Sequence, residues 1–396
     1  MHIELWWLLL IPVVFFALGW VAARIDIKQL LAEARELPKS YFIGLNHLLS
    51  EEPEQAIESF ISVVDKDPKT LDLHFALGTL FRRQGEFSRA IRMHQSLLER
   101  PSLTEQQRER AKFELAQDFH RAGLLDRAET LFLELEKTPY EHQALGDLLE
   151  IYETEKNWQE AIRVTRRMEN VAQMPHFKEI AHYHCEIAEN ALVRHAFDEA
   201  NTALEHAFTE YRACARAFLL KGDIAFASGK PDAALTVWEE IAVHQPAALG
   251  LAAERVMRVC RNDNISERIE YGIRLLTRWQ NDNPSPDIFG ALFSLSFAHE
   301  GAMTTVRRVK DEINERPTLV NLDYFLEAQI AVSPERDERI NLIHIKELIA
   351  PYLRKVGFYR CARCGFRARQ YYWRCPGCGQ WETTQPRRSD MPEGFQ

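Results

Sequence analysis

From about residue 41 to residue 350, apolar and polar positions recur as in one amphipathic helix after another, and a longer period of 34 lies on top of that pattern. Gly44 and Gly78 are 34 apart, and so are Ala56 and Ala90. In most units a small residue is followed twelve positions later by an alanine: Gly44/Ala56, Gly78/Ala90, Ala116/Ala128, Ala188/Ala200 and Gly222/Ala234. The exception is Leu149/Ala161. An aromatic residue or leucine often sits four residues after the alanine (Phe60, Phe132, Leu204, Trp238), and Pro68 and Pro246 close two units. Two antiparallel helices approach closely only where side chains are small, and a large side chain one turn on fills the next hole. Spacings of 38, 33 and 39 between later alanines mark insertions such as SLTEQQRE at 102–109. The pattern is similar to the tetratricopeptide repeat and predicts an all-α solenoid over 25–350, with six clear repeats to about 248. Degenerate helical pairs follow at 249–283, 286–317 and 319–350. Such stacks usually hold other proteins in a concave groove. The repeating residues themselves are core, and the groove residues stay unassigned.

The apolar pattern changes character at the N-terminus. Residues 5–23 (LWWLLLIPVVFFALGWVAA) are nineteen consecutive uncharged residues, eleven of them Leu, Ile, Val or Phe. As a helix they would span about 28 Å, close to the hydrocarbon thickness of a bilayer. Trp6, Trp7 and Trp20 sit near the two ends, where indoles favour the membrane interface. A cleaved signal peptide ending at Val21 and Ala23 would need a basic leading region, and MHIE has none. Residues 1–24 are therefore expected to be a retained transmembrane anchor. Arg24, Lys28, Arg35 and Lys39 follow the span and no lysine or arginine precedes it, so the body is expected on the cytoplasmic side.

Composition adds a contrast between the two ends. The chain of 396 residues carries a formal net charge of −9, which argues against a general nucleic-acid binder. From Leu348 to Trp381 there is no acidic residue but seven basic ones, which leaves −16 on the rest. Within that basic stretch, Cys361-Ala-Arg-Cys364-Gly and Cys375-Pro-Gly-Cys378-Gly form two knuckles ten residues apart. Each Cys-x-x-Cys puts two sulfurs on one side of a tight turn, and two turns supply four sulfurs for tetrahedral zinc or iron. A closed shell of four thiolates leaves no position for substrate, so Cys361, Cys364, Cys375 and Cys378 read as a structural site for one iron or zinc ion. Residues 351–384 are assigned to this small domain and 385–396 to a flexible tail, and the spacer Gly365–Arg374 is expected to form a short β-hairpin. Cys185, Cys214 and Cys260 read as isolated, buried small hydrophobes. His182, His184 and Cys185 point in different directions on a helix and cannot share one ion. Phosphate-binding loops, zinc-protease helices and nucleophile elbows are absent, so no catalytic residue is assigned and the chain reads as a non-enzyme.

The knuckles resemble those of rubredoxins. The order of anchor, tetratricopeptide array and terminal knuckle, along nearly the whole chain, resembles the lipopolysaccharide assembly protein B family of Gram-negative inner membranes. The resemblance implies a single-pass inner-membrane adaptor that lowers lipopolysaccharide synthesis by promoting FtsH-type proteolysis of the LpxC deacetylase. It also implies gathering of other lipopolysaccharide synthesis or transport proteins at the membrane. It places the metal ligands at the four knuckle cysteines and describes the ion as iron, although the sulfurs alone would accept zinc equally well. A homo-oligomer is compatible with it. The competing readings are a nucleic-acid-binding zinc ribbon using Tyr371, Tyr372 and Trp373, and an electron-transfer accessory.

Overall fold

The computed structural model describes residues 43–44, 46–47, 52–64, 71–262, 265–386 and 388. The predicted anchor at residues 5–23 lies outside them, and so does the tail beyond residue 388. Among the described residues no helix is long and apolar enough to cross a membrane. The chain divides into two compact units, Met1–Glu155 and Lys156–Gln396. The division falls inside the repeat whose small position holds Leu149.

The first unit contains α1 (Pro53–Val64), α2 (Leu71–Arg83), α3 (Phe87–Leu98), α4 (Glu105–Arg121), α5 (Leu125–Leu133) and α6 (Glu141–Glu155). The insertion at 102–109 lengthens α4. Thr104 accepts a hydrogen bond from the Gln107 N–H, and the Gln107 side chain accepts one from the Thr104 N–H, which closes the helix start as a capping box. The second unit contains α7 (Trp158–Ala172), α8 (Phe177–Val193), α9 (Phe197–Glu210), α10 (Ala215–Ala227), α11 (Pro231–Glu239), α12 (Ile241–His244), α13 (Leu249–Asn262), α14 (Ser266–Asp282), α15 (Pro286–His299), α16 (Ala302–Glu315), α17 (Leu319–Val332) and α18 (Arg336–Leu353). Its largest core runs from Ala215 to Ala328 and is filled by Trp238, Trp279 and Phe289.

The 34-residue register has the physical basis that the spacing implies. Ala90, Ala128, Ala200 and Ala234 are all 0% exposed. A Cβ added to Gly222 would lie 2.1 Å from Trp238 Nε1, and one added to Gly78 would lie 2.3 Å from the His94 ring. Each glycine thus touches the ring four residues after its partner alanine. Between paired helices the chain turns through a left-handed residue: Gly85, Gly123 and Gly229 at φ 75–78°, with His195 at φ 59° in the equivalent place. We expect Gly222→Ala to destabilise the second unit by about 3 kcal/mol, because the methyl group expels the indole and breaks its hydrogen bond to the Leu219 carbonyl. Urea denaturation followed by circular dichroism measures this loss.

One buried polar network goes beyond the repeat pattern. His94 occupies the position held elsewhere by Phe132 or Trp238, and its Nδ1 lies 2.5 Å from Asp118 Oδ2. Asp118 also accepts from Arg82, which reaches on to Glu114. A charge buried at a repeat interface persists only when it is fully paired, and these partners come from α2, α3 and α4 together.

Candidate metal centre

After α18 the chain forms a two-residue antiparallel ladder, β1 (Tyr359–Arg360) on β2 (Arg367–Ala368), pairing Tyr359 with Ala368. The expected hairpin within Gly365–Arg374 is therefore displaced: the first knuckle is itself the hairpin turn, and the spacer supplies only the second strand. The Cys361 N–H donates to the Phe366 carbonyl and the Gly365 N–H to the Cys361 carbonyl. The second knuckle repeats this, with the Cys375 N–H on Gln380 and the Gly379 N–H on Cys375. Gly365 and Gly379 close the two turns at φ 75° and 68°, which a side chain would resist. Bridges from Cys361 to Thr384 and from Arg374 to Trp381 complete the small sheet.

These turns bring all four sulfurs within 4.8 Å of one another. Cys361 and Cys378 are 3.8 Å apart, and Cys364 and Cys375 are 3.6 Å apart. Metal–sulfur bonds of about 2.3 Å in a tetrahedron place sulfurs about 3.8 Å apart, whereas a disulfide would place them at about 2.05 Å. The geometry fits a tetrathiolate ion. The Thr383 hydroxyl, 3.4 Å from Cys361 Sγ, and the nearby backbone N–H groups pull that thiol down to about 6. The Phe366 N–H draws Cys364 the same way, yet desolvation and the three neighbouring sulfurs push it up to about 12. Four sulfurs this close ionise together only around a cation, and Cys361, Cys364, Cys375 and Cys378 would hold it. Iron and zinc both suit the donor set.

The centre does not stand apart from the repeats. Trp381 stacks on His182 of α8, with ring centroids 4.9 Å apart at 14°, and meets Tyr183 edge-on. Trp373 approaches the same histidine at 5.5 Å and packs on the second unit's core. Glu382 lies 3.2 Å from His182 Nε2 and 3.4 Å from Lys178 Nζ. At the other edge, the Tyr359 hydroxyl and Arg388 Nε both reach Asp287 of α15 at 3.0 Å. Docking is thus aromatic, and one of its ion pairs puts a knuckle carboxylate on a lysine of the repeats. That polarity is the reverse of what the +7 tail beside a −16 remainder suggests, whereas Arg388 on Asp287 has the suggested polarity. Between the knuckle and α10, α13 and α15 lies a cavity of about 660 Å³, bordered by Arg216, Arg255, Asp287, Tyr324, Tyr371 and Trp373.

His182, His184 and Cys185 diverge as the helix geometry requires. His182 faces the knuckle and His184 stacks on His206. Cys185 is not isolated, because its sulfur lies 3.9 Å from that of Cys214, the residue capping the start of α10. Cys260 is buried, its thiol donates to the Arg268 carbonyl at 3.4 Å, and desolvation pushes it up to about 11. The docking roles of His182, Trp381 and Glu382 went unread in the sequence, where His182 was weighed only as a metal ligand. The available signal was a tryptophan three residues beyond the last cysteine, in an otherwise polar tail.

Comparisons with known sequences agree with this architecture. The sequence profile of the rubredoxin metal binding domain matches residues 359–386, and tetratricopeptide repeat profiles match 73–109 and 185–248. The chain is 31% identical over 382 residues to lipopolysaccharide assembly protein B of Escherichia coli strain K12, covering 96% of this chain and 97% of that one. It is 28% identical over 389 residues to the Haemophilus influenzae protein of the same name, with the same coverage. Among solved structures, a tetratricopeptide repeat protein from Parabacteroides merdae aligns with 66% of this chain and 100% of its own at 18% identity, with a TM-score of 0.32.

Proposed function

The chain belongs to the lipopolysaccharide assembly protein B family, and from that premise we propose that it is a non-enzymatic adaptor in lipopolysaccharide assembly. In this reading residues 5–23 tether it to the inner membrane with its body on the cytoplasmic side. Cys361, Cys364, Cys375 and Cys378 hold one iron or zinc ion, and the repeats bring an FtsH-type protease together with the LpxC deacetylase. A tether raises the encounter rate of membrane-bound partners by confining them to one surface.

The observation that carries the proposal is the seating of the knuckle on the first helices of two separate pairs, α8 and α15. Stacked repeats usually take partners on one continuous face of the solenoid, and in this reading α8 and α15 contribute to it. A knuckle seated there shapes the face and adds its own walls to the cavity beside Arg216 and Trp373. The nucleic-acid reading needs a row of free aromatic faces, but Tyr371 and Trp373 pack against each other and Trp373 is spent on the repeats, which leaves Tyr372 alone of the three exposed. The test is the half-life of the deacetylase in cells depleted of this chain. A several-fold lengthening, reversed by the wild-type gene and not by a Cys361→Ser/Cys364→Ser variant, is expected. An unchanged half-life on depletion overturns the proteolysis role.

A further inference from the structure

The first unit contains a separate group of metal-binding side chains that the adaptor reading does not use. His120 lies in the last turn of α4, and Asp147 and Glu150 lie three residues apart on α6, hence on one helix face. One ligand atom from each of the three falls within 4.8 Å of the other two. The His120 side chain is only 9% exposed, and its Nδ1 is sealed from solvent without a hydrogen-bond partner. The nearest carboxylate oxygen, Asp147 Oδ1, is 3.7 Å away, too far for a hydrogen bond.

The surroundings orient this nitrogen toward the carboxylates. The Gln117 amide, one turn before His120, donates to Asp147 Oδ2 and leaves Oδ1 turned to the imidazole. Phe132 meets the imidazole edge-on, at 87° with centroids 6.3 Å apart, and sets its plane. An orphaned buried nitrogen is destabilising, and an ordinary ion pair would have closed the gap. A divalent ion removes both problems. Two carboxylates and a neutral imidazole carry −2, which matches its charge. Bonds of about 2.1 Å bring tetrahedral ligand atoms to about 3.4 Å, so the His120–Asp147 spacing needs little change and exposed Glu150 closes the rest.

We propose that His120, Asp147 and Glu150 form a second metal site, which takes one zinc-class divalent ion with water in the remaining position. An imidazole beside carboxylates suits zinc and its first-row neighbours better than calcium or magnesium, which favour all-oxygen shells. The bound ion staples α4 to α6, the first helices of successive repeats, so occupancy stabilises the first unit by mass action.

The experiment uses tag-free full-length chain whose tetrathiolate has already been filled with zinc. Isothermal titration with Zn²⁺ is expected to show one further equivalent, accompanied by an upward shift of the thermal unfolding transition. Asp147→Asn keeps the shape and the Gln117 contact, and His120→Phe keeps the buried volume. Both are expected to weaken the further equivalent at least tenfold, while circular dichroism and the tetrathiolate zinc stay as in the wild type. A wild-type chain that takes no zinc beyond the tetrathiolate overturns the proposal. So does a further equivalent that survives in both variants.

Discussion

Removal of the metal releases the C-terminal domain from the repeats. A strong chelator under reducing conditions, or Cys375→Ser, is expected to abolish the near-ultraviolet signal of Trp373 and Trp381 and to open residues 359–386 to protease. Helix content should stay near its starting value. The domain is fewer than 40 residues long and its only regular ladder is two residues a side, so its core cannot support it without the ion. Structural tetrathiolate ions contribute about 10–16 kcal/mol of binding free energy, all of which becomes folding free energy when the apo form is unfolded. The repeats have their own core from Ala215 to Ala328, so they should persist. Co-unfolding of α8–α15 with the knuckle would show instead that the two are one cooperative body.

Trp381→Ala detaches the knuckle with its metal still bound. The indole stacks on His182 and meets Tyr183 edge-on, and truncation of a packed tryptophan costs about 3–5 kcal/mol. Trp373 on the core, Glu382 beside His182 and Lys178, and Tyr359 with Arg388 on Asp287 remain, but loss of the central stack shifts the docking equilibrium toward release. The expected readout is loss of protection from hydrogen exchange in α8 with unchanged metal content. Full protection with the substitution in place would refute the docking role.

Acidification acts on the same contact. Burial lowers the His182 pKa from its ordinary 6.5, with Arg216 acting in the same sense, while Glu382 and Glu179 oppose it. A buried neutral imidazole binds fewer protons than the free one. Its stabilising contribution is therefore complete above about pH 6.5 and is withdrawn as pH falls below that value. Glu382 is desolvated as well, yet His182 and Lys178 hold it below the usual glutamate range, so it remains ionised through this window. Docking should weaken between pH 7.5 and 5.5, and His182→Phe should remove that dependence.

Much of this was legible in the chain itself. The Gly78/Ala90 and Gly222/Ala234 pairs were readable because close helix approach is a local, periodic demand: the residue that meets Trp238 must lack a side chain wherever the repeat occurs. The four cysteines were readable because a tight turn sets the distance between sulfurs three positions apart, and two such turns suffice. Phase is harder to read where the signature residue changes. His94 stands in an aromatic slot, and its partner Asp118 lies in the next repeat, so neither stands out alone.

Sequence alone determined the helical repeat and the tetrathiolate motif, because both rest on short-range geometry that a few neighbouring residues enforce. Tertiary structure alone decided where the knuckle sits, that Trp381 lies on His182, and that His120 faces Asp147. Those contacts join residues far apart in the chain through stacking and desolvation. Such forces depend on which surfaces the fold happens to bring together, and they leave no periodic mark in the sequence.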